Sequence, residues 1–356
     1  MKIKLILFLI NVSVIGVAQI PAGYYNSAQG LTGLPLKVAL HNIIKNHTTV
    51  SYSGLWNTNK KTDRKPNGKV WDIYSDIPGG TPPYSFTFST DQCGSYSVEG
   101  DCYNREHSWP QSWFNSVSGP VSDMFHIYPT DGKVNGIRSN YPYGNVSSAS
   151  YTTLNGGKLG ACSNLGYSGT VFEPIDDYKG DLARGYFYMS TRYYTEDASW
   201  SSSAATNKAT ILPWQVNVLL QWHHQDPVSA KEIARNDTIY YHYQHNRNPF
   251  IDNPQWVDSI WQQDVSVFIK ENTFKPKFSI FPNPTNEQLT IVNELSSNIM
   301  NVDLKLMTIN GEIIEDRKLS FSGLYTIDCV KLPNGIYFIQ LITPETTCNL
   351  KFVKSQ

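Results

Sequence analysis

The stretch NREHSWP, residues 104–110, sets a carboxylate directly beside an imidazole, Glu106 and His107, and the downstream stretch DMFHIYPTDGKVNGIRSNYPYGN adds Asp123, His126 and Asn135. Hydrolysis of a phosphodiester needs a base to deprotonate water, a cation to take the charge on the phosphate, and stabilisation of the departing 3′ oxygen. An unperturbed imidazole, with a pKa of about 6.5, is a competent base near neutral pH. Glu106 and Asn135 are hard oxygen donors suited to magnesium, which keeps several waters and takes few protein ligands. Two readings of His107 stand at this level: the working base of such a site, or a packed imidazole in a cluster with Trp109 and Trp113. Glu106 has a plain alternative in a surface ion pair with Arg105, and Asn135 in a turn or cap. His126 either orients the site or fills the core behind it.

These residues need elements to hold them. The segment around His107 reads as a strand, and PTDGKVNGIRSN as the start of a short helix capped by Thr130, with Asn135 in its second turn. A hairpin followed by a helix would close one cation between strand and helix. Adjacent residues of a regular strand face opposite sides, so Glu106 and His107 can share a site only at a strand end or a bulge. Further helices are expected at LTGLPLKVALHNIIKNH, where Leu36, Ala39, Leu40, Ile43 and Ile44 recur at helical spacing, and at PWQVNVLLQWHHQ. The tetrapeptide SAKE, Ser229 to Glu232, has the form of a capping box opening another. A zinc reading of the remaining histidines is weak. His223 and His224 would point about 100° apart on a helix, and His242 and His245 lack third and fourth ligands nearby. No phosphate-binding glycine loop, Gly-x-Ser-x-Gly elbow or cysteine–histidine protease pattern is present.

The order YNREHSWPQSWF, DMFHIYPTDGKVNGIRSNYPYGNV, GDLARGYFYM, LLQWHHQDPVSAKEIARND and HNRNPFIDNP, spanning about Tyr103 to Pro254, resembles the endonuclease I family of secreted bacterial nucleases. The resemblance implies a ββα-metal finger at the catalytic centre. It makes His107 the general base, Glu106 and Asn135 the metal ligands, and magnesium the expected ion. Some family members carry a transition-state arginine in an insertion after the histidine strand, whereas NSVSGPVS here contains none. Arg138 and Arg184 stand as catalytic candidates in its place, with Arg105 beside them. Arg184 has a second reading that it shares with Arg247: both are expected to tie loops or contact phosphate rather than do chemistry.

Composition divides the chain. All eight histidines and all nine tryptophans lie between His41 and Trp261. After about residue 275 the runs FSIFPNPTNEQLTIVN, VDLKLMTINGEII and GIYFIQLITP alternate with period two, which predicts a small antiparallel β-sandwich. The pieces FPNPTNEQLTI, NGEII, LPNGIYFIQL and KFVK resemble the C-terminal sorting domain of type IX secretion. At the other end, Lys2 and Lys4 precede an apolar run from Leu5 to Ala18, which reads as a signal peptide rather than a membrane span. The expected organisation is therefore a leader over residues 1–18, a catalytic domain over 19–270, a linker over 271–277 and the sorting domain over 278–356. The fold class is α+β, a mixed nuclease domain followed by the sandwich.

Export permits disulfides, so Cys93 and Cys102 are expected to bridge, Cys329 and Cys348 to pair, and Cys162 to be left over. A formal net charge of -1 supplies no global field to draw the chain to nucleic acid or anionic membrane. The function expected is a secreted, magnesium-dependent, sequence-tolerant endonuclease acting on DNA and RNA as a monomer. The alternative is a secreted aromatic-rich module that binds nucleic acid or carbohydrate without catalysis.

Overall fold

A computed structural model describes residues 20–270, 278–293, 300–321, 323–343 and 347–355. The leader expected over residues 1–18 and the linker expected over 271–277 lie outside the described residues. The chain divides into two compact units, one ending at Ser266 and the other beginning at Val267.

The first unit is built around one helix. Helix α1 (Gly33–Ile44) buries Leu36, Leu40 and Ile44 along one stripe, as the spacing required, and is followed by α2 (Leu55–Thr62). Strands β1 (Tyr103–His107) and β2 (Ile127–Asp131) pair antiparallel, with His107 opposite Ile127 and Tyr103 opposite Asp131. Helix α3 (Gly132–Arg138) follows β2 without a break, completing a ββα unit. Strands β3 (Val146–Thr152), β4 (Lys158–Cys162) and β5 (Thr170–Glu173) form a three-stranded antiparallel meander.

Helix α4 (Lys179–Arg192) is buried along its whole length, so it is the core element rather than a surface helix. Its aromatic residues Tyr186, Phe187 and Tyr188 join Trp109, Phe114, Phe125 and Trp222 in one hydrophobic core. The two-residue strands β6 (Thr206–Asn207) and β7 (Thr210–Ile211) make a small hairpin ahead of α5 (Pro213–Gln225), which packs on α4. Helix α6 (Ala230–His242) opens with the capping box seen in the sequence: Ser229 accepts from the Glu232 amide, and Glu232 accepts from the Ser229 amide. Helices α7 (Pro249–Asp252) and α8 (Gln255–Lys270) complete the order.

Two local expectations need correction. The cap of α3 is Asp131, whose Oδ1 accepts from the Val134 amide at 2.8 Å, and not Thr130. Thr130 is committed to the β1–β2 ladder opposite Asn104, one residue short of the helix. The Cys93–Cys102 bridge is present, and it closes a loop whose Tyr96 lies against α3. A Cβ at Gly132 would fall 2.6 Å from the Tyr96 ring and one at Gly136 would run into its hydroxyl, so the two glycines let the loop seat. Cys329 and Cys348, however, are both free.

The second unit explains why. Strands β8 (Phe278–Phe281), β9 (Gln288–Asn293) and β12 (Leu324–Asp328) form one antiparallel sheet, ordered β12-β9-β8. Strands β10 (Met300–Thr308), β11 (Ile313–Phe321), β13 (Gly335–Ile342) and β14 (Thr347–Lys354) form the other, ordered β11-β10-β13-β14. Alternate residues Leu289 and Ile291, Val302, Leu304 and Leu306, and Ile339 and Leu341 share one core between the sheets. Cys329 follows a strand of the three-stranded sheet, whereas Cys348 sits on the far sheet opposite Leu341. Among the described residues no helix is long and apolar enough to cross a membrane.

Candidate active site

His107 is the last residue of β1, which resolves the problem of two adjacent side chains meeting in one place. Arg138, at the end of α3, secures that strand end. Its Nη1 donates to Glu106 Oε1 at 2.9 Å and to the His107 carbonyl at 2.8 Å, and its Nη2 donates to the Ser108 carbonyl and to Tyr186 Oη. The Ser108 amide in turn donates to the His126 carbonyl at 2.9 Å. With the backbone fixed in this way, Glu106 and His107 both line a cleft of about 240 Å³, together with Arg105, Gln111, Asn135 and Arg138.

Glu106 and Asn135 each keep an acceptor oxygen without a partner among the described residues, and His107 keeps a ring lone pair that meets only a side-chain amide. Glu106 Oε1 accepts from Tyr74 Oη at 2.9 Å, from Arg138 and, at 3.4 Å, from Tyr143 Oη, while Oε2 has no partner among the described residues. Burial pushes this carboxyl above its ordinary value, and Arg138 with the two tyrosine hydroxyls opposes the rise. Asn135 Nδ2 donates to Asn104 Oδ1 at 2.7 Å, which orients the amide and leaves Oδ1 as an acceptor. His107 Nε2 donates to the Val121 carbonyl at 3.0 Å, so the lone pair lies on Nδ1. Gln111 Nε2 donates to that Nδ1 at 3.1 Å. Burial, with the neighbouring His126 adding to it, pulls the His107 pKa down to about 3, and the ring is neutral near pH 7.

This donor set fits a hard divalent ion. One carboxylate oxygen and one amide oxygen, in a cleft able to admit water, match the few protein ligands and several waters that magnesium takes. Among the described residues there is no cluster of three or more His, Cys, Asp or Glu side chains arranged for a metal.

The other sequence candidates lie elsewhere. His126 is fully buried between His107 and Phe114, its Nε2 donating to the Pro120 carbonyl at 2.7 Å. Arg184 is also fully buried: Nε and Nη2 grip Glu232, and Nη1 donates to the Asp226 carbonyl. It therefore ties α4 to α6 and does not line the cleft. Arg247 is held by Asp252 and Asp237. His223 approaches Arg184 and His224 approaches Asp258, so the two rings serve separate neighbours. Of the residues missed in the sequence, Asn104 and Gln111 sit inside the quoted motif. Tyr143 sits inside the second quoted motif, whereas Tyr74 comes from a distant loop and left no spacing signal.

The burial of His126 has a measurable consequence. Desolvation, reinforced by Arg235 and Arg138 and opposed by Asp123, lowers its pKa from 6.5 to about 4. A depressed folded-state pKa contributes stability that is present above pH 6.5 and is lost as pH falls through about 4, because the unfolded chain takes up the proton first. For this one ring the loss is on the order of 3 kcal/mol. Asp72, pushed up to about 7 by burial, and Glu232, raised by burial and the neighbouring Asp181, act with the opposite sign. His126→Gln keeps a donor for the Pro120 carbonyl and removes the titration. Urea unfolding at about pH 7 and about pH 4.5 should show a smaller acid penalty for this variant than for the wild type. Equal penalties in the two proteins would count against the assignment.

A ββα unit that turns a neutral imidazole, a carboxylate oxygen and an amide oxygen toward one cleft is the apparatus of a phosphodiester hydrolase. Residues 32–255 match the Endonuclease I family, and residues 279–355 match the secretion system C-terminal sorting domain. The chain is 38% identical over 246 residues to the extracellular ribonuclease of Bacillus amyloliquefaciens and, equally, to that of Bacillus subtilis (strain 168), covering 67% of this chain and 78% of each relative. It is 24% identical over 224 residues to an extracellular deoxyribonuclease of Aeromonas hydrophila, covering 61% of this chain and 86% of that one. The chain belongs to the Endonuclease I family: it is a secreted nuclease whose tail marks it for export by type IX secretion. The match begins at residue 32, well before the Tyr103 from which the motifs ran, so α1 and α2 belong to the family region as well.

Proposed function

We propose that this chain is a magnesium-dependent endonuclease that hydrolyses phosphodiester bonds in both DNA and RNA with little regard for sequence. The observation that carries the reading is the set of three acceptors, Glu106 Oε2, Asn135 Oδ1 and His107 Nδ1, on residues lining one cleft, the two oxygens without a partner among the described residues and the nitrogen met only by the Gln111 amide. Glu106 and Asn135 would hold the ion. Bound there, magnesium supplies Lewis-acid stabilisation of charge on the scissile phosphate and the leaving oxygen. His107 Nδ1 takes a proton from water as the water oxygen attacks phosphorus, and the Val121 carbonyl on Nε2 stabilises the imidazolium that forms. The P–O3′ bond breaks, and the departing oxygen is protonated from solvent.

Names of relatives support two substrates, since the family region resembles both an extracellular ribonuclease and an extracellular deoxyribonuclease. Sequence tolerance follows where contacts are to phosphate and sugar, which carry no base information. All three acceptors come from one chain, in keeping with a monomer. The organisation we assign is a leader (1–18), catalytic domain (19–270), linker (271–277) and sorting domain (278–356).

Supercoiled plasmid and a single-stranded RNA, each incubated with the protein, test the proposal. With magnesium both should be cut. With EDTA the rate should fall by about a hundredfold or more, the loss of several kcal/mol of charge stabilisation, and excess magnesium should restore it. Undiminished cutting in chelator overturns the metal dependence. Retention of oligonucleotide with no turnover in magnesium would favour the non-catalytic binding module instead.

A further inference from the structure

Resting on that nuclease reading, the remaining question is which cationic side chain meets the scissile phosphate, where negative charge gathers on the non-bridging oxygens during attack. Two arginines line the cleft, Arg105 and Arg138. Arg138 is 1% exposed, and both of its η nitrogens are spent on Glu106, two backbone carbonyls and Tyr186. Turning it toward substrate would dismantle the strand end that creates the site. Arg184 has no place in the cleft at all.

Arg105 is built differently. It sits two residues before His107 on β1 and so shares a strand face with it. Its guanidinium carbon lies 3.7 Å from the Tyr52 ring centroid and 4.3 Å from that of Trp56, and Nη1 donates to the Tyr52 carbonyl at 2.7 Å. Tyr52 in turn stands 5.8 Å, centroid to centroid, from the His107 ring. Nη2 has no partner among the described residues. Arg138, Arg184, Arg192, Arg235 and Arg247 each face a carboxylate, whereas Arg105 faces none among the described residues. A planar cation held by two rings and one carbonyl has lost its rotamer freedom before substrate arrives, while its charge stays uncompensated. A purely structural arginine has no need of that combination.

We propose that Arg105 is the catalytic arginine of this nuclease, its Nη2 edge donating to a non-bridging oxygen of the scissile phosphate, with Tyr52 and Trp56 as the residues that position it. The charge it meets grows as the water oxygen closes on phosphorus, so its contribution belongs to kcat more than to KM.

The test compares wild type, Arg105→Ala, Arg105→Lys, Tyr52→Ala and His107→Ala, all in the full chain, on a short fluorescent DNA duplex with titrated magnesium. Arg105→Ala should lower kcat by about a hundredfold, the scale seen when one preorganised donor is removed, with KM changed by less than about threefold. Arg105→Lys should recover no more than about tenfold of that, because an ammonium cannot reproduce the stacked planar fork. Tyr52→Ala should fall between wild type and Arg105→Ala. The magnesium midpoint should stay fixed in all three. A kcat within about threefold of wild type for Arg105→Ala, or a loss confined to KM, overturns the assignment while an inactive His107→Ala leaves the nuclease reading standing. Should Arg105→Ala fail to fold, Arg105→Lys decides: wild-type kcat in that variant overturns the role. A wild type that cuts nothing sinks the nuclease reading and this assignment with it.

Discussion

Replacing His107 with alanine should reduce cleavage of DNA and RNA by about 10²- to 10⁴-fold near neutral pH while the protein stays folded. The size of the effect follows from the lack of a substitute base. Nδ1 is the one ring nitrogen with a lone pair, because the Val121 carbonyl fixes the proton on Nε2. The nearest imidazole, His126, is fully buried and does not line the cleft. The low pKa of His107 keeps the ring ready to accept a proton, but a base that weak gives little driving force. A phosphate brought into the cleft favours the imidazolium, and a divalent ion on Glu106 and Asn135 would oppose it, so the proton is taken only as negative charge builds during attack. Alanine also leaves the Val121 carbonyl without its donor, at a cost of about 1–3 kcal/mol. Folding is therefore checked alongside activity, by near-ultraviolet circular dichroism of the tryptophan-rich unit. A folded variant that keeps more than about a tenth of the wild-type rate would remove His107 from the role of base.

What the sequence made legible was local. The α1 stripe of Leu36, Leu40 and Ile44, the Ser229–Glu232 capping box, the β1 strand and the period-two runs of the tail each depend on residues within a few positions of one another, and each formed. The hidden part was made by long-range contacts. Tyr74 reaches Glu106 from 32 residues away, and no pattern in the chain ties it there; Tyr143, 37 residues away, lies within a quoted motif, yet nothing in that motif aims its hydroxyl at Glu106. The same limit governs Arg138 and Arg184, which are equivalent as residue types. Only their acceptors, Glu106 with two strand-end carbonyls in one case and Glu232 in the other, give them different work. Thr130 failed as a cap for a related reason, because strand pairing claimed it first. The convergence of Glu106 and His107 was anticipated only as a condition, a strand end or a bulge. The structure meets it with a strand end fastened by an arginine from the helix that also carries Asn135.

That fastening predicts the second large effect. Arg138→Ala should destabilise the first unit by about 3–5 kcal/mol, because it leaves a buried carboxylate without its cation. The carbonyls of His107 and Ser108 lose their donor as well. All nine tryptophans lie in this unit, so their fluorescence during urea unfolding reports on it without a contribution from tryptophan in the tail. Arg138→Lys retains the charge but offers one compact ammonium in place of a fork that reaches four acceptors, and should recover only part of the loss. A midpoint for Arg138→Ala equal to wild type would show that the pair contributes nothing. The partner substitution separates the pair from the position. Glu106→Gln alone removes a proposed metal ligand and leaves Arg138 buried without its counter-charge, so it should lose both stability and cleavage. Combined with Arg138→Met, it removes both charges at once. If the ion pair is the cause, the double variant should be more stable than the sum of the single losses allows, by about 0.5–3 kcal/mol, yet remain inactive. Stability regained without activity would separate the two tasks of Glu106, since Arg138 needs its charge to hold the strand end whereas catalysis needs its remaining oxygen.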